Sequence, residues 1–135
     1  MAEARSYLRT PYHHQGRRKG VGVDCVGIVT GLAKFAHVNF VDRQGYGQFG
    51  RGVNLPQELG KWLQPLTVRE AEPGDVMCFW MSEQRKDWIC HCGILGDANT
   101  LIHTHSEVGQ VVEHRMDKYW LERRASAFRY PTVVK

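Results

Sequence analysis

No apolar run in this chain reaches the ~18 residues that a membrane-crossing helix needs. The opening stretch MAEARSYLRT also lacks the basic flank and apolar segment of a secretion signal. Membrane insertion and export by that route are therefore not expected. Cysteine is scarce: Cys25, Cys78, Cys90 and Cys92 form no spaced framework. Cys90 and Cys92 would share one face of any strand, a poor geometry for bridging, so reduced thiols are expected. There is no internal repeat and no low-complexity tract. With 135 residues there is no material for a second sizeable core, which predicts a single domain over 1–135. The net charge of +4 is dispersed apart from GRRKG (16–20) and ERR (122–124). Both clusters read as solvated surface, and no direct nucleic-acid partner is expected. What remains, 42% hydrophobic and 24% charged residues, is ordinary globular composition.

The two halves differ in pattern. AEARSYL (2–8) predicts a short helix ended by the Thr10-Pro11 step, because the residue before proline is pushed out of the helical region. A polar loop with Gly16, Gly20 and Gly22 follows. Asp24 then stands as an N-cap before Val26, Val29, Leu32, Ala33 and Ala36 at helical spacing. Cys25 lands in the first turn of that helix. The glycine-rich stretch NFVDRQGYGQFGRG predicts irregular chain, and NLPQELGKWLQPL (54–66) a second helix capped at Asn54. Beyond the PGD turn (73–75), VMCFWM, WICHCGIL, TLIHTHSE, VVEHRM and ASAFRY are short runs separated by polar or turn-prone residues, with DKYWLERR as a helical turn before the last. That is the pattern of an antiparallel meander, and helices followed by strands make the fold α+β.

Strand alternation sends Ile89, His91 and Gly93 of WICHCGIL to one face, and Cys90, Cys92 and Ile94 to the other, as core. In the next run it puts Leu101, His103 and His105 on one face. A hairpin pairing Leu95 with Asn99 across Gly96–Ala98 would stand His91 directly opposite His103. A thiol at a helix N-terminus meets unpaired N–H groups and the positive end of the helix dipole, which favour thiolate. If the sheet packs against that end, Cys25, His91 and His103 form a nucleophile, base and orienter. A plainer alternative makes Cys25 a small buried hydrophobe and the histidines satisfied polar residues. A zinc site from Cys90, Cys92, His103 and His105 is disfavoured, because the C-x-C thiols and the histidines of the next strand would lie on opposite faces and structural sites more usually use C-x₂-C turns. No metal is expected.

The strings ARSYLRTPYHHQGRRKGVGVDCVGIV (4–29), PGDVMCF (73–79), HCGIL (91–95) and LIH (101–103) resemble the NlpC family of papain-like cysteine peptidases. Within it they are most similar to the branch found in tail-tip proteins of phages and gene-transfer-agent particles. The resemblance implies a papain-like domain with N-terminal helices packed on an antiparallel sheet of about five or six strands. It assigns the nucleophile to Cys25, the base to His91 and the third catalytic position to His103. It gives Tyr12, from the family's TPY motif, a share in holding the oxyanion beside the Cys25 amide. It implies no cofactor, and cleavage of peptidoglycan stem peptides between γ-D-glutamate and the following diamino acid. Arg17, Arg18 and Lys19, beside the nucleophile, are then candidates to meet the carboxylates of that anionic substrate, and Asp24 is grouped with them as a substrate contact. His13, His14 and His105 are expected on the rim. The chain departs from many relatives in carrying Val26 where they have the serine of DCSG, and Arg9 where they have glycine before TPY. The implied setting is a virion tail tip or baseplate among hub proteins, made in the bacterial cytoplasm and acting on the cell wall. A catalytically weak structural tail component with the same fold is the alternative.

Overall fold

Asp24 begins the longest helix because its carboxylate accepts the Gly27 amide at 2.9 Å, satisfying one of the donors that a helix start leaves without an intrahelical partner. In the computed structural model, which describes residues 1–42, 44–47 and 54–131, that helix is α2 (Cys25–Phe35). It follows α1 (Ala2–Arg5) and a small hairpin of β1 (Arg17–Arg18) and β2 (Gly22–Val23). Val26, Ile28, Val29, Leu32 and Ala33 give α2 its buried stripe. Two glycines let it dock closely: a Cβ on Gly27 would lie 2.4 Å from the Gly16 carbonyl oxygen, and one on Gly31 would lie 1.8 Å from Tyr7 Oη.

The helix predicted over 2–8 stops at Arg5. The Tyr7 and Leu8 amides reach back three residues rather than four, and Arg9 turns to a φ of 71°. The loop expected between His13 and Val23 contains the β1–β2 pairing. The helix predicted over 54–66 is capped at Asn54 as expected but is only α3 (Leu55–Leu59). Gln64–Leu66 instead forms an edge strand, β3, where Pro65 is tolerated despite lacking an N–H. Part of the predicted irregular stretch, residue 43 and residues 48–53, lies outside the described residues.

The second half supplies β4 (Val76–Ser82), β5 (Arg85–Leu95), β6 (Thr100–His103), β7 (Val112–Arg115), α4 (Lys118–Glu122) and β8 (Arg124–Arg129). With β3 they make a six-stranded antiparallel sheet in the order β3-β8-β4-β5-β6-β7, so the fold is α+β as predicted. One face, with Val76, Cys78, Cys92, Ile94, Ile102 and Phe128, packs on the N-terminal helices. The other, with Met77, Phe79, Leu95 and Leu101, is covered by Met116 and by Trp120 of α4.

Two details of this sheet differ from simple alternation. The β5–β6 register pairs Leu95 with Leu101 and Ile94 with Ile102. It therefore differs by two residues from the predicted Leu95–Asn99 pairing. The connection is longer than expected because Asp97–Asn99 forms a 3₁₀ turn, with Ala98 and Asn99 at positive φ. A slip of two keeps every side chain on its face. The second difference is a bulge. Phe79 pairs with His91 and Trp80 with Ile89, so Cys90 is an extra residue in β5. Beyond it the faces exchange: Ile89 packs with the Cys92 and Ile94 cluster, contrary to the alternation expected. Cys90, predicted as core, is only half-buried.

Candidate active site

The bulge, the start of α2 and the β6–β7 side of the sheet converge on a cavity of roughly 470 Å³, whose lining includes Tyr12, Cys25, Cys90, His91, His105 and Trp120. Cys25 is half-buried at the helix start. Its thiol lies well below the usual cysteine range. The first cause is a hydrogen bond from the Cys92 thiol; burial opposes it, and the hydrogen bond with His91 adds to it, so that the lowering causes prevail. The other three thiols go the opposite way. The hydrogen bond to Cys25, then burial, holds Cys92 well above its usual value, while burial pushes Cys78 up to about 12 and Cys90 up to about 11. Only Cys25 is thereby prepared as a nucleophile.

His91 and His103 are both buried, and the Nε2 of His91 lies 2.8 Å from the Nδ1 of His103. In the observed register the backbones do not face each other directly. Extending the pairing puts Gly93 opposite His103 and leaves His91 on the diagonal. Gly93 makes the reach possible, since a Cβ there would sit 2.9 Å from His103 Cβ and 2.7 Å from Leu101 Cδ1. The rings are enclosed by aromatics: His91 lies 6.0 Å from Phe79 and 5.5 Å from Trp120, and His103 lies 4.7 Å from Trp120. Burial first, then its imidazole neighbours, lowers His103 to about 2, so it is neutral. His105, 5.8 Å from His91, is also pushed down, chiefly by burial.

Tyr12 reaches the cavity because its strand-like segment is fixed at both sides. Its amide donates to the Gly109 carbonyl at 2.9 Å, and Val23 donates to the Pro11 carbonyl at 3.0 Å. Burial, then the charges of Asp24 and Cys25, push its phenol up, so it keeps its proton and can donate.

Asp24 lines the cavity, but its oxygens are already engaged. Oδ1 accepts from the Gly27 amide and from Arg17 Nη1, each at 2.9 Å; Oδ2 accepts from the Gln15 amide at 3.0 Å and from the Tyr46 hydroxyl. Burial first, then the Cys25 thiolate, push its carboxyl up, while Arg17, Tyr46 and the Gly27 amide pull it back. Arg17 further donates to Asp42 Oδ1 at 2.9 Å and to Tyr46 Oη at 2.8 Å. Lys19 pairs with Glu3 at 2.8 Å and lies over the Tyr7 ring. Arg17, exposed Arg18 and Lys19 are not among the cavity-lining residues, although Arg17 reaches its edge through Asp24; Cys25, His91 and Tyr12 line it, and His103 joins them from behind through its contact with His91. Of the expected rim histidines, His14 and His105 line the cavity and His13 does not.

Sequence patterns did not single out Tyr46, Cys92, His114 or Trp120 as parts of the site. Tyr46 sits in a glycine-rich stretch with no periodicity, and His114 comes close only through the β6–β7 register, Leu101 to His114. Among the described residues, no group of three His, Cys, Asp or Glu side chains is placed to hold a metal ion.

A buried imidazole pair beside an acidified thiol at a helix start, on helices packed against an antiparallel sheet, is the arrangement that a thiol nucleophile with an imidazole base would require. Residues 9–129 match the NlpC/P60 family, and the chain belongs to it. It is 26% identical over 133 residues to a protein from Bacillus subtilis (strain 168) named gamma-DL-glutamyl hydrolase, covering 98% of this chain but only 29% of that protein. Among solved structures, an NlpC/P60 family protein from Bacillus cereus superposes with a TM-score of 0.71 at 20% identity, covering 94% of this chain and 37% of that one. The NlpC/p60 domain of the peptidoglycan hydrolase SagA superposes with a TM-score of 0.66 at 22% identity, covering 95% and 93%.

Proposed function

We propose that the chain is a cysteine-dependent endopeptidase of peptidoglycan stem peptides, cutting between γ-D-glutamate and the diamino acid that follows. The observation that carries this reading is the contact of an acidified Cys25 with His91 in one cavity, with His103 holding His91 from the buried side. The names of the relatives, a gamma-DL-glutamyl hydrolase and a peptidoglycan hydrolase, support the substrate class. His91 takes the thiol proton, and the Cys25 sulfur attacks the amide carbonyl. The Tyr12 hydroxyl and the Cys25 amide, in a helical turn whose N–H groups have no intrahelical acceptor, stabilise the oxyanion. His91 then protonates the leaving amine, and the same imidazole activates the water that releases the acyl group. Arg17 and Lys19 are held by carboxylates of this chain, and Arg18, exposed outside the cavity, would meet only a part of the substrate that extends beyond it.

Mass spectrometry of muropeptides digested by the protein tests the reaction. The expected result is new fragments ending in γ-D-glutamate, with turnover in Cys25→Ala reduced by at least about 10⁴-fold. Equal digestion by Cys25→Ala overturns the assignment. We further propose a place in a phage or gene-transfer-agent tail tip, supported by the likeness of residues 4–29 to that branch. Peptides of this chain are then expected in purified particles, and their absence from particles of a producing strain removes the setting.

A further inference from the structure

The two imidazoles of the site are not the end of the hydrogen-bonded row. His103 Nε2 lies 2.7 Å from Nε2 of His114, on β7, and His114 Nδ1 lies 2.9 Å from the Arg115 carbonyl oxygen. Three imidazoles are thus linked in series from Cys25 to a backbone oxygen, and that oxygen can only accept. We infer that His114 is a positioning residue for the reaction, because its bond to the Arg115 carbonyl dictates which nitrogen of each imidazole in the row carries hydrogen. This rests on the reading of Cys25 as nucleophile and His91 as base.

The direction follows link by link. His114 Nδ1 must donate to the carbonyl, so with one proton its Nε2 is a bare acceptor. His103 Nε2 must then hold the hydrogen in the 2.7 Å contact, which leaves His103 Nδ1 bare. His91 Nε2 in turn donates across 2.8 Å to that nitrogen. The nitrogen left on His91 is Nδ1, with a free lone pair for the Cys25 proton. Reversing any link puts hydrogen on His91 Nδ1 and removes the base. His103 alone cannot make the choice, since a neutral imidazole bonded at one nitrogen to another imidazole can run either way; the carbonyl at the end breaks the symmetry. The Trp120 ring, 4.7 Å from His103 and 6.1 Å from His114, packs against the row and restrains the rings from turning.

Two substitutions and one spectrum test this. His114→Gln offers an amide oxygen near the position of Nε2 and can still accept from His103, whereas His114→Leu offers nothing. Expected are kcat within about twofold of the parent for Gln and lowered about ten- to a hundredfold for Leu, with KM within about twofold in both. Nitrogen-15 NMR of the unsubstituted protein is expected to find His103 protonated on Nε2 and bare on Nδ1, with hydrogen on Nε2 of His91. Loss of that single tautomer in His114→Leu is the matching result. Equal impairment of both variants, an unimpaired His114→Leu, or His103 protonated on Nδ1 in the parent each overturns the inference. The spectrum of the unsubstituted protein requires neither turnover nor a folded variant. A wrong substrate class would therefore leave the tautomer result standing, while an inactive protein with the expected tautomers would count against the peptidase reading alone.

Discussion

At the scale of single residues, the site depends on asymmetry between chemically identical side chains. Four cysteines lie in or near one region, yet three have thiols pushed up and one has its thiol pushed down. Cys92 is central to this difference, because by staying protonated it can donate to the sulfur of Cys25. Removing that donor in Cys92→Ala takes away the first cause of the low value, so the pH midpoint for iodoacetamide alkylation of Cys25 is expected to move upward. A midpoint unchanged from the parent would mean that His91 and the helix start suffice. Asp24 shows the same economy: one carboxylate caps α2 through Gly27 and anchors Arg17, Tyr46 and the Gln15 amide. The cap was legible in the sequence because it obeys a local rule, aspartate before a helical pattern. The Arg17 and Tyr46 partnerships were not, since they join residues that no periodicity relates.

At the scale of elements, β5 and β6 set the geometry of the imidazoles. Their faces were legible from alternation and their register was not. Leu101 and His103 stand on the predicted side, but the 3₁₀ turn at Asp97–Asn99 lengthened the connection and moved the pairing by two. The diagonal reach that results depends on a missing side chain at Gly93. Gly93→Ala places a Cβ 2.9 Å from His103 Cβ and 3.0 Å from the Ile102 carbonyl oxygen, in a core with little room to yield. A stability loss of about 1–3 kcal/mol by denaturant titration is expected, with a larger fractional loss of turnover than of folded protein at 25 °C. Unchanged turnover would show that β6 can shift without parting the imidazoles. The β3 strand escaped sequence reading for a different reason: three residues including a proline carry no strand pattern, and only the exposed edge of β8 recruits them.

At the scale of the whole molecule, burying His103 makes stability depend on pH. Unfolded, its imidazole takes a proton below about 6.5; folded, it does so only near 2. The unfolded chain thus binds more protons below 6.5, and stability falls as pH falls through that value. The slope contributed by His103 approaches about 1.4 kcal/mol per pH unit. The clearest window lies between pH 6.5 and 4.5, above the ordinary range of carboxylates such as Glu113. Denaturation midpoints across that window are expected to flatten in His103→Gln, which cannot titrate, and parallel slopes in the two proteins would refute the link. The fold class was legible because it follows from patterning within segments, whereas the meeting of an N-terminal sulfur with C-terminal histidines hung on how the sheet packs against α2 and came from the family resemblance. The third imidazole in the row was not, because it depends on how β7 settles beside β6. The bulge at Cys90 carries a consequence for any redesign or natural shortening of this chain. Without that one residue, Phe79–His91 and Trp80–Ile89 would be consecutive pairs of a regular ladder and Ile89 would keep its buried face; what β5 would give up is the local bend and twist that the extra residue puts beside His91.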